Sequence, residues 1–284
     1  MSTSLFVALA AALAASDIDT KISLTERLAS DWLAGKLDCR HPAPVALSCG
    51  RPEQPELVQP KEVEQRNPKT PEGRARLLHA IVHIEFTAIN LALDHAARFR
   101  NMPEQYYADW IAVAAEEAMH FELLRQRLRS LDHDYGDFPA HAGLWEMAEK
   151  TSGDVLVRMA LVPRLLEARG LDATPPIQRR LEACGDHESA QALDVILRDE
   201  IGHVGLGDRW FRHLCAERQL PAEETYRQLL DGFNAPWPQA SMNTEARLAA
   251  GFSAEELASL RQPRSSQDGR PIQPPLGNHS SKAA

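Results

Sequence analysis

The sequence predicts an all-α protein: a four-helix bundle with one long crossover, carrying further helices at both ends. Three observations predict it. Hydrophobic residues make up 44% of the 284-residue chain but aromatic residues only 6%; Ala and Leu dominate the apolar set, and neither loses much rotamer freedom in a helix. Four long stretches repeat apolar residues at three- and four-residue spacing, the period of a helix with one buried face. A short linker joins the first two stretches, and a long Pro- and Gly-containing one separates the second from the third.

Residues 1–69 read as an N-terminal helical region followed by a Pro-rich wrapping segment. Leu5 to Ala15 has the length of a signal-peptide apolar core, but no Lys or Arg precedes it. The helical pattern also continues through Ile22, Leu24, Leu28 and Trp32, so an amphipathic helix is the better reading. Prolines then recur at Pro42, Pro44, Pro52, Pro55, Pro60, Pro68 and Pro71, too densely for a helix to persist.

Residues 70–217 carry the bundle. Its first helix opens with Thr70 as N-cap, Pro71 at the first helical position and Glu72 in the first turn, and runs to about Phe99. The second starts near Met102-Pro103-Glu104 and ends before Leu131. The third spans about Gly143 to Arg169, with Gly170 as its terminator, and the fourth about Asp186 to Ala216. About three residues join helices one and two, which makes them antiparallel neighbours. The linker from Leu131 to Ala142 reaches about 40 Å when extended, enough to run the length of a bundle. That is the ferritin-like connection rather than up-down-up-down. Residues 218–260 read as a C-terminal helical extension, broken at Pro236-Trp237-Pro238, with Ser253 and Glu256 as a capping box. Residues 261–284 have the composition of a disordered tail.

Each bundle helix places a glutamate within its apolar stripe: Glu85 between Ile81 and Ile89, Glu117 between Ala114 and Phe121, Glu167 after Pro163, Glu200 between Ile196 and Gly207. Burying an ionised carboxylate costs several kcal/mol, and four would repel one another. No Lys or Arg occupies these stripes, so bound cations are the natural remedy. Two imidazoles arrive at ligand spacing. Glu117/His120 and Glu200/His203 are ExxH pairs, which place carboxylate and imidazole one turn apart on one face. About one such pair is expected by chance from 23 Glu and 11 His in this chain. The arrangement is more specific than the pairs. Glu85 precedes Glu117 by 32 residues and Glu167 precedes Glu200 by 33, so each half repeats one plan. One Glu from each of two helices and ExxH from each of the other two is the ligand set of di-iron and di-manganese carboxylate proteins. The expected metal ligands are Glu85, Glu117, His120, Glu167, Glu200 and His203, holding two iron ions, with manganese or a mixed pair as alternatives.

The stretches HIEFTAIN, YADWIAVAAEEAMHF, LVPRLLEARGLDATP and LRDEIGHVGLGDRWF resemble the bacterial ferritin-like proteins of domain-of-unknown-function family 455. The resemblance runs from the N-terminal helix to about residue 260. It implies the fold and the ligand set, not a reaction. A more distant likeness is to the tRNA hydroxylase branch of ferritin-like di-iron enzymes. Met119 stands where the family resemblance leads one to expect Arg, at an outward position.

Other candidates read more plainly. Glu116 and Asp199, four residues before His120 and His203, are either acceptors that orient the imidazoles or solvated acids. His79 and His83 read as packing or surface residues, and His133, His141, Asp132, Asp134 and Asp137 as a polar crossover. Tyr106, Tyr107, Trp110 and Trp210 read as packing, with electron relay as the alternative. Pro163 should kink helix three one turn before Glu167.

Open metal positions would admit dioxygen or peroxide, so the leading expectation is an oxidoreductase acting on an unidentified substrate, with an external electron donor and a homodimeric state left open. A non-enzymatic iron or manganese storage role and a tRNA-modifying activity are the alternatives. The net charge of -9 argues against a nucleic-acid partner. Cys39, Cys49, Cys184 and Cys215 lack metal or redox spacing, as expected of reduced thiols in the cytoplasm. No run of about 18 consecutive apolar residues suggests a membrane span.

Overall fold

Two of the long helices begin where a side chain caps them. In a computed structural model, which describes residues 3–40, 44–63, 67–238 and 241–262, Thr70 accepts from the Gly73 amide at 3.0 Å and opens α3, Pro71–Arg98. Asp186 accepts from the Ser189 amide and opens α8, His187–Glu217. Between them lie α4, Glu104–Arg129; α5, Gly143–Lys150; α6, Val155–Leu161; a π-helical turn, Pro163–Glu167; and α7, Ala168–Glu182. Two helices precede this set, α1 (Leu5–Ala14) and α2 (Ile18–Leu33), and three follow it: α9 (Ala222–Gly232), α10 (Thr244–Ala249) and α11 (Ala254–Leu260). The only strands among the described residues are Thr3–Ser4 and Leu37–Asp38, two residues each and parallel. The fold is all-α. Pro42 and all of the predicted disordered tail except Arg261 and Gln262 lie outside the described residues.

Side-chain pairs fix the directions of the helices. Tyr106 donates to the His95 carbonyl and Tyr107 to that of Phe99, so α4 starts where α3 ends and the two run antiparallel. Asp109 meets Trp210, Glu116 meets His203, His120 meets Asp199 and Arg127 meets Ser189. Numbers rise on α4 as they fall on α8, so these two are antiparallel as well. Arg164 pairs with Asp208 and Gln178 with Asp194, which sets the π turn and α7 antiparallel to α8. Buried apolar residues from Leu5 to Leu260 form one continuous core, which α1 and α2 join by packing on α3 and α4.

Helix three departs from its prediction at both ends. The predicted helix from Gly143 is two helices, because Thr151 and Asp154 interrupt it. Thr151 turns its hydroxyl back onto the Met147 carbonyl, and Asp154 caps α6 by accepting from the Leu156 amide at 2.8 Å. Helix α5 therefore belongs to the crossover, which climbs beside α3: Gly136 donates to His79, His83 meets the His141 carbonyl, and Arg158 meets Asp94. At the other end, Gly170 does not terminate anything. The helix continues through Pro175 and Pro176 to Glu182. Pro175 has no amide to give the Leu171 carbonyl, but Asn243, from the segment leading into α10, supplies a donor at 3.2 Å.

Pro163 breaks the regular helix as expected. Val162 leaves helical geometry, and its carbonyl accepts from both Leu166 and Glu167. The wider turn fits because Gly207 lies opposite: a Cβ there would come within 2.6 Å of the Pro163 side chain.

One expectation about composition needs correction. Helix α3 is long and apolar enough, by length and composition, to cross a membrane, with a mean hydropathy of 1.3 over its best window. Counting consecutive apolar residues missed it. Of that window, 78% is buried against the rest of the chain, as in a core helix.

Candidate metal centre

Midway along the helices, residues from four segments face one another. Glu85, Glu117, His120 and Glu200 each offer one ligand-type atom, and these atoms all lie within 4.8 Å of one another. His203 joins them, its Nδ1 lying 2.9 Å from Glu117 Oε1 and 3.6 Å from Glu200 Oε1. The two imidazole centroids are 5.7 Å apart. His120 Nδ1 lies 3.4 Å from Glu117 and 3.5 Å from Glu85. Glu167, on the π turn, is close enough for its ionisation to respond to Glu200, Glu117 and Glu85. All six residues singled out in the sequence therefore share one neighbourhood.

Seven of their polar atoms lack hydrogen-bond partners. Glu85 Oε2, both oxygens of Glu117, Glu167 Oε2, Glu200 Oε2, His120 Nδ1 and His203 Nδ1 are buried and unbonded. The 2.9 Å approach of His203 to Glu117 lacks the angle of a hydrogen bond. Native interiors leave few buried polar atoms unsatisfied, so seven on these six residues is compatible with a metal ion held among them. Carboxylate oxygens and imidazole nitrogens are the donor set that iron and manganese accept.

The outer nitrogens of the histidines are occupied in a way the sequence could not reveal. His203 Nε2 lies 2.7 Å from Glu116, and His120 Nε2 lies 3.2 Å from Asp199. Each acid serves the histidine of the opposite helix, not the one four residues along its own. A carboxylate only accepts, so each Nε2 donates outward and each Nδ1 is turned inward, its lone pair open to a metal once the ring is neutral. The choice between orienting acceptor and solvated acid is thus decided for both residues, although Glu116 is half exposed (52%) and Asp199 less so (19%).

Left to themselves, the six groups neutralise one another with protons. Burial, opposed by His120 and reinforced by the charges of Glu117 and Glu200, pushes Glu85 up to about 8. Burial and neighbouring glutamates likewise raise Glu167 and Glu200. Burial works against charging His120 and His203, but the adjacent acids overcome it; His120 is pushed up to about 11. Glu117 is held below the ordinary carboxylate range: the two histidines outweigh its burial.

Sequence reasoning missed a set of buried cations. Arg158, Arg164 and Arg247 are at most 1% exposed. Each is matched elsewhere: Arg158 to Asp94 at 2.6 Å, Arg164 to Asp208 at 2.7 Å and to Glu256, Arg247 to Asp172 at 2.7 Å. Among the described residues no Lys or Arg forms an ion pair with the four glutamates. An arginine within an apolar helix stripe, with an acid to match on a distant helix, is a signal that pairing could have been read as.

The remaining candidates resolve into structure. His79 accepts from the Gly136 amide and stacks on Tyr135, and His83 bonds the Tyr135 hydroxyl at 2.9 Å. Asp134 is tied to Arg125 and Arg129. Tyr106, Tyr107, Trp110 and Trp210 are buried and meet edge to face. Met119 is exposed, as its outward position implied.

Comparison with known proteins adds three findings. Residues 14–258 match a family model described as "Protein of unknown function (DUF455)". An uncharacterized protein of Haemophilus influenzae is 50% identical over 213 residues, covering 72% of this chain and 74% of that protein. No solved structure matches.

Proposed function

We propose that this chain, which belongs to the DUF455 family, is a ferritin-like dinuclear carboxylate protein, binding iron or manganese and acting as an oxidoreductase that uses dioxygen or peroxide. What carries the reading is the convergence of seven buried, unbonded oxygen and nitrogen atoms on the six residues of the repeated Glu and ExxH plan. A redox-active metal pair held there supplies two-electron chemistry toward dioxygen or peroxide.

The residues divide the remaining work. Glu85, Glu117, Glu167 and Glu200 would offset the charge of two divalent ions, in the place of the protons that burial favours on Glu85, Glu167 and Glu200. Glu117 faces both histidines, 2.9 Å from one and 3.4 Å from the other, so its carboxylate would hold metal beside either imidazole. His120 and His203 each present one Nδ1, with Asp199 and Glu116 fixing the tautomer. The apolar residues around them exclude bulk water, which strengthens every charge interaction inside.

The test is anaerobic loading with ferrous iron, metal counting by atomic emission, and then oxygen uptake at an electrode. About two metals per chain are expected, with oxygen consumed only by the loaded protein. Fewer than one metal per chain would refute the metal centre. Uptake of many irons per chain, in a large assembly on size-exclusion chromatography, would replace the enzymatic reading with storage.

A further inference from the structure

A cleft of about 560 Å³ lies on the side of α3 turned away from Glu85. Glu85 sits on the face of α3 that meets α4 and α8. His83, Thr87 and Asn90 sit on the opposite face and line the cleft. The Pro-rich segment roofs it with Leu47, Pro52, Pro55 and Leu57, and Phe86, Tyr135 and Trp145 supply aromatic walls.

The roof is anchored at both ends. Gly50 donates to the Leu13 carbonyl at 2.9 Å, where a Cβ would collide with the backbone of Ala14. Val58 donates to the Ala140 carbonyl, and Ala140 returns a bond to the Glu56 carbonyl, both at 2.9 Å. The space is therefore preformed, as small-molecule sites usually are, and its volume falls within their range.

Its polar lining is largely occupied within the protein. The Tyr135 hydroxyl is bonded to His83, the Thr87 hydroxyl to the His83 carbonyl, Arg98 to Asp94, and the Trp145 indole N–H to Glu149. Asn90 gives its Nδ2 to the Phe86 carbonyl and keeps an unbonded Oδ1, so an occupant meets several ring faces and few open hydrogen-bonding groups. Charge is left for the mouth, where Arg51 and Glu146 are exposed and of opposite sign. The Cys49 thiol in the lining is pushed up to about 11 by burial, so it stays protonated and adds apolar surface and not a nucleophile.

We propose that this cleft binds a planar aromatic molecule, inserted flat between the Pro-rich roof and the Phe86, Tyr135 and Trp145 rings, with its polar edge at the mouth. Aromatic surfaces gain from offset and edge-on ring contacts beyond what buried area alone provides, and a saturated body of the same size cannot make them. The site is separate from the metal centre, although its floor adjoins it: Phe86 packs on Phe121 at 5.6 Å, and each follows a proposed ligand in sequence.

The experiment titrates 2-naphthol and its saturated counterpart decahydro-2-naphthol into the full chain by calorimetry, with NMR following the Trp145 indole N–H. Saturable 2-naphthol binding with Kd below about 1 mM is expected. The saturated analogue should bind about tenfold more weakly. Trp145→Ala, at the half-buried edge, should weaken 2-naphthol by a similar factor, and Leu57→Trp should block it by filling the roof. Binding should be equal in protein stripped with chelator and in protein loaded with iron, so failure of the metal reading leaves this one standing. No saturable binding, equal binding of the two probes, or binding unchanged by both substitutions overturns the proposal.

Discussion

The two halves of the candidate centre repeat one sequence plan and differ in how they carry it. In the first, Glu85, Glu117 and His120 sit on two unbroken helices and are 3%, 1% and 0% exposed. In the second, Glu167 rides on a π turn after Pro163, and the Glu200 side chain keeps 13% exposure. Both halves send an acid across to the other's histidine, so the side-chain pairing is matched while the backbone is not. The lesson is that converging side chains constrain one another's direction, and the helices beneath are free to diverge. A regular helix holds its carboxylate by packing, whereas the π turn relies on Gly207 leaving room opposite Pro163.

That contrast can be broken or sharpened by experiment. The largest effect should come from Glu117→Ala in the rigid half: metal content should fall from about two to near zero per chain, with helicity retained by circular dichroism. Glu167→Ala in the kinked half should lose no more than one metal. Equal losses would erase the distinction between the halves. Next come the crossing acids. Asp199→Asn and Glu116→Gln should each lower metal affinity by about 10- to 100-fold, read by competition with a chelator. The more buried Asp199 should give the larger change.

The pH dependence should separate the metal-free from the loaded protein. Glu85 rises from 4.5 to about 8 on folding, so the stability it contributes is fully present below pH 4.5 and lost as pH rises through 8. His120, raised from 6.5 to about 11, acts in the same direction at higher pH. The metal-free Tm should therefore fall between pH 5 and pH 8. Metal needs the same groups deprotonated, so the gap in Tm between loaded and metal-free protein should widen over that range. A constant gap would contradict the proton exchange. The smallest effect concerns the scaffold: Gly207→Ala forces a methyl into the Pro163 side chain and should cost about 1–3 kcal/mol, measured by urea unfolding. Metal affinity should drop with it, through Glu167.

Much of this was readable in the linear chain, for reasons that can be stated. Periodicity of 3.6 marks the buried face of a helix wherever the face is continuous, which is why α3, α4 and α8 end within a residue or two of their expected positions. The ExxH pairs and their glutamate partners are local spacings, so the six converging residues could be named one by one. Helix three resisted because its ends depend on distant chain. Pro175 is tolerated inside α7 once Asn243 serves the Leu171 carbonyl, and no local rule anticipates a donor 72 residues away.

Sequence by itself determined the helical class, the inward direction of four acids and two histidines, and the need for something to neutralise them, since all of these follow from residue type and spacing along one helix. Only tertiary structure decided which acid holds which histidine, that the buried arginines are matched elsewhere, and that a roofed cleft lies behind α3. Those facts are relations between helices, set by how two surfaces meet. A periodic pattern says which face is buried, but not what it is buried against.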